Sequence, residues 1–197
     1  MKASLPLLVL FATASLVHAV VVYDEGASGD LSSDNLSPTP IVLLPGSNDI
    51  LGTTTSSPLD RDFFTVTVPT GFELTQVILE TYQPTGGNLQ SFFGLEIGNQ
   101  ITSVVDSSTL LGWLLVGFQP GIQEGDDVLD DLAAGAFFTT PFSIPLGPGD
   151  YTFWYQETNG PTAYGFDLDV QPIPEPSVAG LFALAGFAAL RRRRVVS

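Results

Sequence analysis

Apolar and polar residues alternate with a period of two along the central part of the chain, a pattern typical of half-buried β-strands. The segment 62–68 places three large apolar residues on one face and Phe63 with two threonines on the other. The segment 164–170 alternates four large apolar residues with one glycine and two aspartates. Both segments are predicted to be strands with one face in a core.

Six more segments combine β-branched or aromatic residues with flanking turn formers and are predicted to be strands: 41–44, 72–82, 92–97, 101–105, 113–118 and 151–156. No long stretch between them has the 3.6-residue apolar period of a helix. The 20 glycines and 15 prolines supply turns between short strands. The sequence therefore predicts an all-β domain over residues 20–170, an antiparallel β-sandwich or jelly roll.

The N-terminal segment has the organisation of a secretory signal peptide. Lys2 precedes an apolar run that continues to about Val17, and Val17-His18-Ala19 carries small or medium residues at the positions that a signal peptidase reads. A positive start, a short apolar helix and such an exit predict a signal peptide over residues 1–19 and export of the chain. The alternative is a buried N-terminal helix.

The C-terminal segment combines three dissimilar elements. Residues 171–177 alternate proline with other residues, which favours an extended linker. Residues 178–190 are apolar on every side, which argues against an amphipathic helix docked on the domain. As a helix they would span about 20 Å, a marginal membrane crossing that the following arginines could extend by snorkelling.

The order Pro174-Glu175-Pro176, an apolar helix and Arg191, Arg192, Arg193 and Arg194 resembles the PEP-CTERM sorting signal of exported bacterial proteins. The resemblance covers residues 173–194, with Ile173 where that family more often has valine. It implies recognition by an exosortase, transient membrane anchoring by the helix over 178–194, and a final place at the cell surface or outside the cell. It also implies association with exopolysaccharide or biofilm matrix.

Charge and composition exclude several classes of function for residues 20–174. This stretch has 20 acidic residues and one basic residue, Arg61, so it would repel nucleic acid. It has no histidine, cysteine or lysine, which excludes Ser–His–Asp and Cys–His catalysis, zinc sites built on thiolate or imidazole, and Schiff-base chemistry. Paired carboxylates for glycoside hydrolysis are the remaining enzymatic alternative. Because no pair is marked by the sequence, we expect no enzyme.

Two segments resemble the bacterial pre-peptidase C-terminal β-sandwich. Residues 60–68, Asp-Arg-Asp-Phe-Phe-Thr-Val-Thr-Val, look like its acidic strand opening, and residues 146–153, Leu-Gly-Pro-Gly-Asp-Tyr-Thr-Phe, are similar to a late strand. The resemblance implies a non-catalytic sandwich, in some members with calcium or carbohydrate contacts. Residues 106–141 between them match no pattern of that family.

Two acidic groups are candidate calcium sites, since calcium prefers carboxylate oxygens. Asp60 and Asp62 lie on one face of a predicted strand, and the alternative is that they are surface charges at its edge. The second group, in the segment 123–131, consists of Asp126, Asp127, Asp130 and Asp131 next to Glu124. Its spacing does not fit an EF-hand loop, and the alternative is a solvated acidic loop.

Trp154 is the candidate glycan platform, because alternation places it opposite Tyr151, Phe153 and Tyr155. The alternative is an outer aromatic that packs within the protein. These features predict an exported, non-catalytic envelope or extracellular-matrix protein with no cofactor other than possible calcium. A carbohydrate-binding module with a defined glycan site is the alternative function.

Overall fold

The computed structural model describes residues 19–85, 90–117, 122–134 and 141–174. Most of the predicted signal peptide lies outside the described residues, and so do Glu175, Pro176 and the predicted helix with Arg191, Arg192, Arg193 and Arg194. Pro174 is the last described residue and is exposed. In the ranges that are described, no helix has the length and hydrophobicity needed to cross a membrane.

Nine strands and two short helices form the described part of the chain. In order they are β1 (Val20–Asp24), α1 (Glu25–Ser28), β2 (Thr39–Val42), β3 (Gly46–Thr55), β4 (Arg61–Val68), β5 (Phe72–Pro84), β6 (Ser91–Ile97), β7 (Gly112–Val116), α2 (Val128–Ala133), β8 (Gly149–Glu157) and β9 (Pro161–Pro172). A 3₁₀ helix, Ser107–Thr109, precedes β7. The prediction of a mostly β domain is confirmed, and the predicted strand at 101–105 is wrong, since that segment is a loop.

The strands form two mixed sheets that pack face to face as a sandwich. The four-stranded sheet has the order β1-β3-β9-β5, and the five-stranded sheet has the order β2-β4-β8-β6-β7. The expectation of a wholly antiparallel sandwich is wrong at one edge of each sheet, where β1 pairs with β3 and β2 with β4 in parallel. β1 and β3 lie in the four-stranded sheet, and β2 and β4 lie in the five-stranded sheet. The chain thus crosses to the other sheet after each of these strands, and when it returns to a sheet it runs in the same direction as before.

The inner faces of the two sheets supply the main core. The predicted inward sides of β4 and β9 are confirmed, since Phe64, Val66 and Val68 and the apolar residues of 164–170 lie in it. In this core the ring of Phe93 stacks on those of Phe153 and Phe166, with centroids 5.5 and 4.6 Å away. Each of these rings buries a large apolar area, which stabilises the packing of the two sheets.

A smaller outer cluster lies on the other face of the five-stranded sheet. Its buried members are Phe63, Ile101, Leu110 and Trp154, with Phe92, Val104 and Trp113 packed against them. The loop that was predicted as a strand contributes Ile101, which is fully buried. This loop therefore covers the sheet instead of extending it.

Candidate functional site

Asp62 is the starting point of the candidate site. It lies in β4 on the same side as Phe64, and its side chain is completely buried. Its Oδ2 atom accepts a hydrogen bond of 2.8 Å from the Tyr164 hydroxyl on β9, in the opposite sheet. Its Oδ1 atom is buried and has no hydrogen-bond partner among the described residues. One of the two carboxyl oxygens of Asp62 therefore lacks the hydrogen-bond donor that a buried polar atom normally has.

Glu25, the first residue of α1, is held in place by three hydrogen bonds. Its Oε1 atom accepts from the backbone N–H of Leu31 at 3.0 Å. Its Oε2 atom accepts from the backbone N–H of Thr53 at 2.6 Å and from the Thr53 hydroxyl at 3.2 Å. Asp24 begins the helix by accepting from the Gly26 N–H at 2.9 Å. These contacts fix Glu25 against β3.

Asp30 completes an acidic triad with Glu25 and Asp62. One carboxylate oxygen from each of the three residues lies within 4.8 Å of the other two. Gly29 ends α1 with a φ of 96°, a conformation that glycine adopts readily, and its carbonyl accepts from the Tyr23 hydroxyl at 2.8 Å. Asp30 is exposed and Asp62 is buried, so the triad reaches from solvent into the sandwich.

Burial dominates the electrostatics of the triad. Desolvation, then the charge of Glu25, raises the pKa of Asp62 from its ordinary 3.8 to about 9, although the Tyr164 hydrogen bond opposes the shift. Desolvation also raises the pKa of Glu25, against the hydrogen bonds from Leu31 and Thr53. Arg61, the only basic residue of this region, does not compensate the triad, because it donates to Gln156 at 2.8 Å.

A cavity of about 630 Å³ opens next to the triad. Glu25, Asp30 and Tyr164 line it together with Gly52 of β3. A Cβ atom at Gly52 would lie 2.5 Å from the hydroxyl oxygen of Tyr164, so only glycine leaves room for this ring. Glycine at position 52 therefore makes room for the Tyr164 hydroxyl that donates to Asp62.

A second acidic group consists of Asp49, Glu80 and Asp167 on the four-stranded sheet. Their oxygens also lie within 4.8 Å of one another, and Asp49 is directly opposite Asp167 in the β3–β9 pair. Desolvation first, and neighbouring carboxylates second, raise the pKa values of Asp49 and Glu80. None of the three side chains is fully buried, so this group is closer to solvent than Asp62.

The two predicted calcium groups have different outcomes. Asp62 belongs to the triad, whereas Asp60 accepts from the Ser33 hydroxyl at 3.3 Å and lies outside it. The triad members that the sequence missed are Glu25 and Asp30. Both precede Asp62 by more than 30 residues, and no local spacing marks them.

The acidic residues of the segment 126–131 accept hydrogen bonds from backbone N–H groups or lie in the first turn of α2. Asp127 begins α2 and accepts from the N–H groups of Leu129 and Val77, each at 3.1 Å. Asp126 accepts from the Gln123 N–H at 2.7 Å, and Asp130 and Asp131 lie in the first turn of α2, where the helix dipole favours them. Among the described residues, these four do not form a three-oxygen group.

Trp154 does lie on the outward face, but the prediction of an exposed platform there is wrong. Only 6% of the residue is exposed, because the outer cluster covers it. Its ring lies 4.4 Å from that of Phe92 and 5.6 Å from that of Phe63. The less buried rings of Phe92 and Trp113 stack at 5.5 Å beside a cleft of about 260 Å³, which Asp106 also lines.

Comparison of the chain with protein-family models, with curated proteins and with solved structures gives no match. The two resemblances drawn from the sequence therefore stay predictions. What the acidic triad and the aromatic cleft can bind is therefore inferred from the residues of this chain alone.

Proposed function

We propose that the chain is an exported, non-catalytic component of the cell envelope or extracellular matrix, sorted by an exosortase-type system and associated with exopolysaccharide. The observation that favours a structural role over glycan binding is the burial of the aromatic residues. No aromatic side chain within the described ranges is exposed. Within those ranges the surface thus lacks the row of open rings on which a glycan-binding module usually stacks sugars.

The position of the predicted sorting segment also supports the proposal. β9 ends at Pro172, and the Ile173 N–H then donates to the Gly71 carbonyl at 2.9 Å. Pro174 follows and is exposed. A processing enzyme would therefore meet the beginning of the Pro-Glu-Pro motif on the surface, directly after the last strand.

The acidic triad supports a non-catalytic role. A glycosidase needs two carboxyl groups that both reach the scissile bond. Asp62 is completely buried, and both oxygens of Glu25 accept hydrogen bonds from the backbone. These two carboxyl groups are therefore not both free to reach a sugar ring.

Mass spectrometry of the protein recovered from culture medium and from membranes tests the proposal. We expect a mature N-terminus near Val20 and loss of the arginine tail. A variant with Arg191, Arg192, Arg193 and Arg194 replaced by serine is the matched control, and it should accumulate unprocessed at its C-terminus. Recovery of mature extracellular protein that retains Met1 or Arg194 contradicts the proposal.

A carbohydrate-binding role is the second candidate, and the stacked Phe92–Trp113 pair beside its cleft is the observation that favours it. Exopolysaccharide pull-down with wild type and Trp113→Ala tests it. Phe72→Ala, which removes another half-buried aromatic that packs on the core, is the control. Binding that is lost only in Trp113→Ala would support this role over the purely structural one.

A further inference from the structure

We propose that Glu25, Asp30 and Asp62 bind a calcium ion where the segment β1–α1 meets the sandwich. This site goes beyond the proposed function, since it does not depend on export or on a matrix partner. It differs from the calcium site expected from the sequence, because Asp60 is replaced by two residues from the N-terminal segment. The ion would fasten α1 and the following turn to β4.

The spacing of the carboxylate oxygens is the first observation. Calcium binds oxygen at about 2.3–2.6 Å, so two ligands on opposite sides of one ion lie roughly 4.6–5.2 Å apart. The three oxygens of the triad all lie within 4.8 Å of one another. A single ion can therefore contact all three oxygens after small side-chain adjustments. Asp30 can adjust most easily, because it is exposed.

The unpartnered oxygen of Asp62 is the second and independent observation. The residue is completely buried, its Oδ2 atom is used by Tyr164, and Oδ1 has no donor among the described residues. A buried polar atom without a partner is unfavourable, and more so if it is charged. Since Arg61 is directed to Gln156 and the ring of Trp154, a bound cation is the partner that fits.

The ligand chemistry favours calcium over other metals. All three side chains offer hard oxygen atoms, whereas zinc and copper sites use imidazole or thiolate ligands that residues 20–174 lack. Calcium needs six to eight oxygens in a flexible arrangement. Water in the adjoining cavity can supply the remaining ligands, because Glu25 and Asp30 line that cavity. Magnesium, which demands a tighter octahedron, should bind more weakly.

Calorimetric titration of the full-length protein with calcium chloride, after removal of metal by a chelator and dialysis, tests the site. We expect saturable binding of one ion, with a dissociation constant on the order of 10⁻⁴ M, as in extracellular modules. Asp62→Asn should abolish binding, because it removes the buried carboxyl ligand, and Asp30→Asn should weaken it by about tenfold or more, because it removes the exposed carboxylate ligand. Magnesium chloride should give clearly weaker binding under the same conditions.

Glu80→Gln is the matched control, since it alters the second acidic group and leaves the triad intact. It should bind calcium as wild type does. Asp30 is exposed, so Asp30→Asn keeps the test decisive even if Asp62→Asn fails to fold. Absence of saturable binding, wild-type affinity in Asp30→Asn, or loss of binding in Glu80→Gln would overturn the proposal. None of these results affects the processing test of the proposed function.

Discussion

Asp62 and Glu157 are both completely buried carboxylates, but their surroundings differ. Glu157, at the end of β8, accepts hydrogen bonds from the hydroxyls of Ser91 and Thr162 on one oxygen. On its other oxygen it accepts from the backbone N–H groups of Thr158 and Asn159, each at 2.8 Å. Asp62 has one donor, the Tyr164 hydroxyl, and one unpartnered oxygen.

The comparison separates a structural carboxylate from a candidate ligand. Four donors around Glu157 give both of its oxygens partners and tie β8 to β6, β9 and the turn between β8 and β9. Asp62 has two acidic neighbours in place of further donors. Burial alone therefore does not distinguish the two residues, whereas the number and charge of their partners does.

Glu157→Ala should have the largest effect on stability. It leaves the Ser91 and Thr162 hydroxyls and two backbone N–H groups without their acceptor, and it leaves a cavity. We expect a loss of about 4 kcal/mol in the free energy of unfolding. Urea denaturation followed by circular dichroism measures this loss. Glu73→Ala on β5 is the control and should change the stability by less than about 0.5 kcal/mol.

The pH dependence of stability should isolate Asp62. Its pKa is about 9 in the folded chain and near 3.8 when unfolded, so the folded state holds a proton that the unfolded state has lost between these values. The stabilisation is complete below about pH 4 and disappears as pH rises to about 9. With chelator present, acidification from pH 8 to 6 should stabilise wild type relative to Asp62→Asn, by at most about 1.4 kcal/mol per pH unit.

Denaturation curves of the two proteins at matched ionic strength measure this difference. Desolvation also raises the pKa values of Glu25, Asp49, Asp60, Glu80 and Asp131, and those groups stabilise both proteins in the same direction. Subtraction of the two curves removes most of their contribution. Parallel curves for wild type and Asp62→Asn would contradict the raised pKa of Asp62.

Gly52→Ala should disturb the site through Tyr164. The added methyl group would overlap the buried phenol ring, which must move together with the hydroxyl that holds Asp62. Such overpacking typically costs about 2 kcal/mol. Thermal unfolding measures the loss, with Gly147→Ala as the control, because a Cβ at Gly147 meets nothing within 4 Å. Equal melting temperatures for the two variants would show that the ring has room.

Asp62→Asn should have the smallest effect in calcium-free buffer at about pH 4, where the carboxyl of the unfolded wild type is also largely protonated. The wild-type carboxyl is protonated there, since its pKa is about 9, and an asparagine amide has nearly the same shape. The Tyr164 hydroxyl keeps an oxygen acceptor. We expect a change within about 1 kcal/mol in the free energy of unfolding. A loss as large as that of Glu157→Ala would show that Asp62, like Glu157, mainly stabilises the fold.

Much of the fold follows from the alternation of residues. The core faces of β4 and β9 can be predicted from the sequence, because large apolar residues recur at every second position in both strands. β3 was not predicted, since its turn-forming residues include Asn48, which is buried and donates to three backbone carbonyls. The parallel edge pairs were not predicted either, because alternation carries no information on the direction of a neighbouring strand.

The candidate site was predicted only in part. Asp62 was found through its place beside Asp60, but its partners come from α1 and the turn that follows. Trp154 was assigned to the correct face and the wrong environment, because the cover over it comes from a loop near Ile101. In both cases the missing information is a contact between distant segments, which no local pattern contains.

The position of β9 in the four-stranded sheet determines when that sheet can form. β3 and β5 do not pair with each other, and each pairs with β9 instead. Among the nine described strands, β9 is also the last to be synthesised. A ribosome must therefore have passed Pro172 before the sheet can close, and until then β3 and β5 lack the strand that joins them.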